Sequence, residues 1–225
     1  MSTLILKSFL GLIFLMLFMG LVLFISVGSF SFWQAWVFLA VFSLCTILIT
    51  AYLIRFDQNL LASRVKTVPG AETQMAQKVI AGLANVFFIG LLIVPGLDYR
   101  FHWSEVPPVV SILSDGVVAL GFFIVFLVFR ANTYTSGIIE VLSDQKVITT
   151  GPYSVVRHPM YAGAILLLFF SPLALGSWVG ILVALSLILL VAVRLIQEEK
   201  FLLANLNGYE QYRQKVRYRL IPFIW

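Results

Sequence analysis

Apolar runs about as long as a bilayer is thick dominate the first 129 residues. They fall at Leu4–Phe30, Trp33–Ile54, Val79–Leu97 and Val109–Phe129, each near the ~20 residues an α-helix needs to cross the hydrocarbon core. Lipid offers no hydrogen bonds, so such unbroken runs must satisfy their own backbone as helices. A further run, Ala162–Ile196, is too long for one helix and is interrupted at Ser171-Pro172 and Gly176-Ser177. It reads as a helical hairpin with arms near 162–175 and 177–196, the first arm short enough to be tilted or partly inserted. The chain is 61% hydrophobic and 11% charged, with a mean hydropathy of +1.02, whereas a soluble domain carries about 25% charged residues. The first run exceeds the apolar core of a signal peptide and lacks an Ala-x-Ala exit, so it reads as a retained helix. The expected fold is an all-α integral membrane protein, one domain over residues 1–225 with about six transmembrane helices.

Basic residues set the orientation, because Lys and Arg beside membrane helices stay on the cytoplasmic side. With six spans, fourteen of the fifteen Lys and Arg residues fall on one face and Arg100 alone on the other. Both termini, the 55–78 loop, the 130–161 loop and the tail are therefore expected in the cytoplasm, at the inner or plasma membrane if the chain is bacterial. A basic face beside anionic lipid accounts for the net charge of +5 without nucleic acid. The single cysteine, Cys45, lies within the second span and allows neither an intramolecular disulfide nor a thiol metal site.

Polar chemistry is concentrated after Arg130, which divides the chain into N-terminal helices (1–129) and a candidate functional half (130–225). Val68–Thr73 reads as a turn followed by a helix start. Asp115 reads as an outer-edge carboxylate among Ser111, Ser114 and Gly116, and Asp98, His102 and Glu105 as outer-loop polar residues.

The stretch GPYSVVRHPMYAG, residues 151–163, needs a different account. Pro159 has no N–H to lose at a first helical position, so His158-Pro159 marks a helix start with His158 at or near the cap. The free N–H groups there favour an anionic ligand group. Gly151-Pro152 turns the chain ahead of it and brings Tyr153 back toward Tyr161. A purely structural reading also exists: Arg157 snorkels to headgroups, Tyr153 and Tyr161 belong to an interfacial belt, and Gly163 lets helices approach. After the hairpin comes RLIQEEKFLLANLNGYEQYRQKVRYRLIPFIW, residues 194–225, with Arg194 and Glu198 four apart on one helix face. Charges at the end of a span are costly unless solvated or paired.

The order of GPYSVVRHPMYAG, a hairpin, RLIQEE and YEQYRQKVRYRLIPFIW resembles the isoprenylcysteine carboxyl methyltransferase-like membrane proteins, a group similar also to phospholipid N-methyltransferases. The likeness covers about residues 130–225. It implies an S-adenosylmethionine pocket, with S-adenosylhomocysteine as product, on the cytosolic side, closed by a cap of 130–161 and 197–225. Carried over by position, Gln145, Lys146, Val147, Ile148 and Tyr153 would wall the cofactor, and Arg157, His158, Pro159, Met160 and Tyr161 would meet it at the helix start. Glu198 would take its ammonium, Arg194 would face the acceptor, and these two would flank the chemistry. The acidic run is Gln197-Glu198-Glu199 here, so Glu199 is the other candidate for the ammonium.

Methyl transfer from a sulfonium is an in-line displacement in which positioning supplies much of the rate and no metal is required. A carboxylate acceptor is ionised at neutral pH and needs only an orienting cation. An amine must first lose a proton, for which an arginine is a poor neighbour. The expectation is therefore methyl transfer to a lipophilic acceptor at the membrane border, a carboxylate such as that of a prenylated cysteine. The alternatives are a phospholipid N-methyltransferase, a thiol methyltransferase, an NADPH-dependent reductase sharing the C-terminal half, and a non-catalytic membrane protein.

Overall fold

A computed structural model describes residues 2–66, 75–135, 141 and 145–225. The expected turn and helix start at 68–73 lie outside the described residues. Those described form helices α1 (Ser2–Val27), α2 (Trp33–Phe56), α3 (Gln58–Lys66), α4 (Met75–Phe101), α5 (Pro108–Ala131), α6 (Pro159–Ala174), α7 (Gly180–Asn205) and α8 (Tyr209–Lys215), with a 3₁₀ turn at Gly151–Ser154 before α6. No strand occurs among them. Five helices, α1, α2, α4, α5 and α7, are long and apolar enough to cross a membrane. The first hairpin arm, α6, has 16 residues and reaches about 24 Å at 1.5 Å per residue, against ~30 Å of hydrocarbon.

The helix ends follow local chemistry. Gly28, at φ +73°, stops α1 short of the expected Phe30. Asp57 closes α2 and caps α3, its Oδ1 accepting the Leu60 N–H at 3.0 Å, which turns the chain along the membrane border. The hairpin bends at the second of the two expected breaks, Gly176-Ser177. Pro172 is accommodated in the last turn of α6, and Gly176 at φ +72° makes the reversal. The Ser177 N–H donates to the Pro172 carbonyl at 2.8 Å and the Gly176 N–H to the Leu173 carbonyl at 3.0 Å, the paired bonds of a Schellman cap. The second arm extends nine residues past the expected 196, because a helix leaving lipid can carry Gln197-Glu198-Glu199-Lys200 into water.

Helices α5 and α6 approach closely where Gly121 meets Gly163, since a Cβ on either would lie 2.9 Å from the other's carbonyl oxygen. Small residues permit this contact in lipid, as the structural reading of Gly163 anticipated. The central core joins α1, α2, α4, α5 and the end of α6 through Met19, Leu23, Phe32, Phe38, Leu92, Val118 and Leu175. At the end of the bundle holding the α6–α7 turn, Asp98 is fully buried, not on a loop surface. It accepts from the Ser104 N–H at 2.7 Å, the Ser104 hydroxyl at 2.6 Å and the Ser177 hydroxyl, fastening that turn to the α4–α5 connection. Asp115 also departs from expectation: it is 4% exposed, and neither carboxylate oxygen has a hydrogen-bond partner. The α5 surface that looked polar in sequence faces inward, because Ser111 and Ser114 are buried beside it.

Candidate functional site

At the opposite end of the bundle, the C-terminal tail is fastened to the start of α6. The backbone N–H groups of Arg157 and His158 donate to the carbonyls of Tyr218 and Arg219, both at 2.9 Å. Glu199 is the hub of this joint. It is 4% exposed and accepts from Arg157 Nε at 2.7 Å and Arg219 Nε at 2.7 Å, with His158 Nε2 at 3.9 Å. Arg157 Nη1 donates further to the carbonyls of Val216 at 2.8 Å and Arg217 at 2.7 Å. Arg157 is therefore a buried clasp, held through Nε and Nη1, and not a snorkelling side chain.

Beside the joint lies a cavity of about 230 Å³. Its walls come from α3 (Arg64), the end of α5 (Asn132), the segment Gln145–Ile148, the stretch from Tyr153 through Arg157–Tyr161, α7 (Arg194, Glu198, Leu202) and α8 (Tyr209, Tyr212). Gln145, Lys146, Val147, Ile148, Tyr153, Arg157, His158, Pro159, Met160, Tyr161, Arg194 and Glu198 all border it. Glu199 does not, since it points into the tail joint. Consecutive helical residues diverge by about 100°, so only one of the glutamate pair can face the cavity. His158 occupies the cap position of α6, but its side chain makes no capping hydrogen bond; its Nε2 lies 3.4 Å from the Tyr209 hydroxyl.

Inside the cavity the Tyr161 hydroxyl donates to Glu198 Oε2. Arg194, one turn earlier on α7, donates from Nη1 to Gln77 Oε1 at 3.4 Å, and Gln77 is bonded in turn to Gln197. Asn132 caps α5 by way of its backbone and donates from Nδ2 to the Tyr153 hydroxyl at 3.0 Å. The Tyr212 hydroxyl donates to the Tyr153 carbonyl at 2.7 Å. Burial pushes the Tyr153 phenol up to about 12, outweighing the bond from Asn132, and also raises Tyr209 and Tyr212. All three stay neutral at physiological pH. The ensemble offers one carboxylate, the guanidinium groups of Arg64, Arg157 and Arg194, the Lys146 ammonium and phenols in a partly apolar recess.

Arg64, Gln77 and Asn132 escaped the sequence reading. The first two lie in the half judged almost featureless, and only the fold carries them to the site. Asn132 held a signal, an amide just past the last apolar residue of a span, where C-caps form.

Residues 109–208 match the phospholipid methyltransferase family. A 75-residue stretch is 36% identical to the protein-S-isoprenylcysteine O-methyltransferase of Schizosaccharomyces pombe, covering 32% of this chain and 32% of that protein. The chain is similar to isoprenylcysteine carboxyl methyltransferases. The stretch shared with the yeast protein is thus about a third of either chain. Over 92% of this chain and 74% of the other, the fold matches the solved eukaryotic intramembrane Ras methyltransferase ICMT, with a TM-score of 0.56 at 21% identity. That likeness extends to the N-terminal helices, which the motifs alone left unassigned.

Proposed function

We propose that this chain transfers a methyl group from S-adenosylmethionine to a lipophilic acceptor at the membrane border, the carboxylate of a prenylated cysteine. The carrying observation is a cavity that holds Glu198, Arg194, Tyr161 and the α6 start together at the end of the transmembrane bundle. The cofactor supplies an electrophilic methyl on a sulfonium. The residues fit such a group: Glu198 presents a carboxylate to its ammonium, a charge-assisted bond of the stronger kind, while Val147, Ile148 and Tyr153 offer apolar and aromatic surface to its base. Tyr161 orients Glu198 by donating to it.

Arg194, one turn nearer the lipid, orients the acceptor carboxylate with a planar two-pronged donor. No general base is required, because the carboxylate is already ionised. Arg64, Lys146, Arg213 and Arg217 at the cavity end support the reading, by the positive-inside rule, that this end and both termini face the cytoplasm. The family match favours a second reading, methylation of a phospholipid amine. Arg194 weighs against it, since a guanidinium repels the ammonium that must approach and deprotonate.

The proposal is tested by calorimetry of S-adenosylhomocysteine binding. The wild type should bind, and Glu198→Gln should bind roughly tenfold to a hundredfold more weakly through loss of a charged hydrogen bond. Equal affinity in a folded Glu198→Gln variant removes Glu198 from the site.

A further inference from the structure

Arg64 is the side chain of this cavity that neither the matched family segment, residues 109–208, nor the sequence motifs include. Asp57 starts the helix that carries it, and Leu60 and Leu61 of the same helix pack with Leu53 and Phe129, with Met160 against them. The Arg64 guanidinium lies over the Phe129 ring, Cζ 4.8 Å from its centroid, and lines the cavity. Its Nε is buried and has no hydrogen-bond partner. Burying part of a permanently charged group is expensive, and an anion in the cavity that Arg64 lines would offset that cost.

The placement says which anion. Phe129 lies inside the last turn of α5, on the lipid side of Asn132, whereas Val147 packs with Leu206, Tyr209 and Tyr212 in the cap. Arg64 and Arg194 both lie near the Tyr161 phenol, whose hydroxyl donates to Glu198. Arg194 is one helical turn lipid-ward of Glu198 on α7. Both guanidinium groups thus flank the end of the cavity nearest the bilayer, where a head attached to a lipid chain would arrive.

We propose that Arg64 is a specificity-determining residue that, with Arg194, clamps the anionic head of the acceptor and selects a carboxylate over an amine. This rests on the methyltransferase reading above. A carboxylate held between two planar forks gains charge-assisted bonds that an amide or amine head cannot replace. S-adenosylmethionine carries a carboxylate of its own, so the test must separate donor from acceptor.

The experiment uses the full chain in detergent, with Arg64→Gln and Arg64→Lys beside the wild type. A prenylated cysteine with a free carboxylate serves as acceptor, and its carboxamide serves as a competitive inhibitor. Expected for Arg64→Gln is a rise of about tenfold or more in acceptor KM, from loss of one charged contact, with carboxamide inhibition and S-adenosylhomocysteine affinity unchanged. Arg64→Lys should recover part of the KM, and it keeps the test open if the glutamine variant does not fold. Equal changes for acid and carboxamide overturn the proposal in favour of packing. Weakened S-adenosylhomocysteine binding with an unchanged acceptor KM overturns it in favour of the donor's carboxylate. A wild type that turns over normally beside an indifferent Arg64→Gln sinks the proposal alone; a wild type that binds no S-adenosylhomocysteine sinks the methyltransferase reading and this proposal with it.

Discussion

Replacing Glu199 by Gln separates the two halves of the Glu-Glu pair. Glu199 is 4% exposed, and its carboxylate is shared by Arg157 and Arg219, each at 2.7 Å. Breaking a buried ion pair by removing one partner costs 3–5 kcal/mol, because the other charge stays buried. Arg157 keeps its carbonyl acceptors at Val216 and Arg217, and Arg219 is a third exposed, so its contact is discounted for solvent. The lower end, about 3 kcal/mol, is therefore expected. For a chain of this length that corresponds to about 6–12 °C in Tm. Thermal unfolding by tryptophan fluorescence measures it, and limited proteolysis should show the tail after Lys215 released first. Glu198→Gln should give the opposite pattern, with near-normal Tm and weakened S-adenosylhomocysteine binding. A Glu199→Gln variant with unchanged Tm and lost ligand affinity would refute the assignment of the two glutamates.

Three other outcomes follow from the same geometry. Asp98→Asn should lower Tm by several degrees, since at least one of three donors loses its acceptor, whereas Asp115→Asn should leave it unchanged or raised because no bond is broken; an equal loss at both positions would mean Asp115 has a partner. Burial raises the phenols of Tyr153, Tyr209 and Tyr212, so the folded state retains these protons longer than the unfolded chain. Their stabilisation is complete below the ordinary tyrosine pKa near 10 and is lost as pH rises toward about 12 for Tyr153; phenolate absorbance and proteolysis should show the cap loosening in that window, and a cap unaffected there would contradict it. Arg194→Lys should cut turnover on the order of a hundredfold with donor binding intact, as a point charge cannot reproduce the fork; near-normal turnover would return Arg194 to interfacial snorkelling.

Much of the architecture is legible from hydropathy, because lipid punishes an unpaired backbone so severely that spans announce themselves. Limits of the helices were less so: the Gly176-Ser177 break was legible, but Gly28 ends α1 through a φ value that the residue permits but does not require. The buried carboxylates Asp98 and Asp115 were misread because burial depends on neighbours distant in sequence, such as Ser177 for Asp98. For the cavity, the motif residues carry their own local logic, a Pro-started helix and an i, i+4 pair. Arg64 and Gln77 carry none, since their role arises only when α3 packs on Phe129 of α5 and the start of α4 meets the end of α7.

Methyl transfer to a carboxylate is separated from transfer to an amine by supplying purified protein with methyl-labelled S-adenosylmethionine and two acceptors, a prenylated cysteine with a free carboxylate and phosphatidylethanolamine vesicles. Label is expected on the prenylated cysteine as an alkali-labile methyl ester. Alkali-stable label on the phospholipid headgroup, with none on the cysteine, would contradict that expectation.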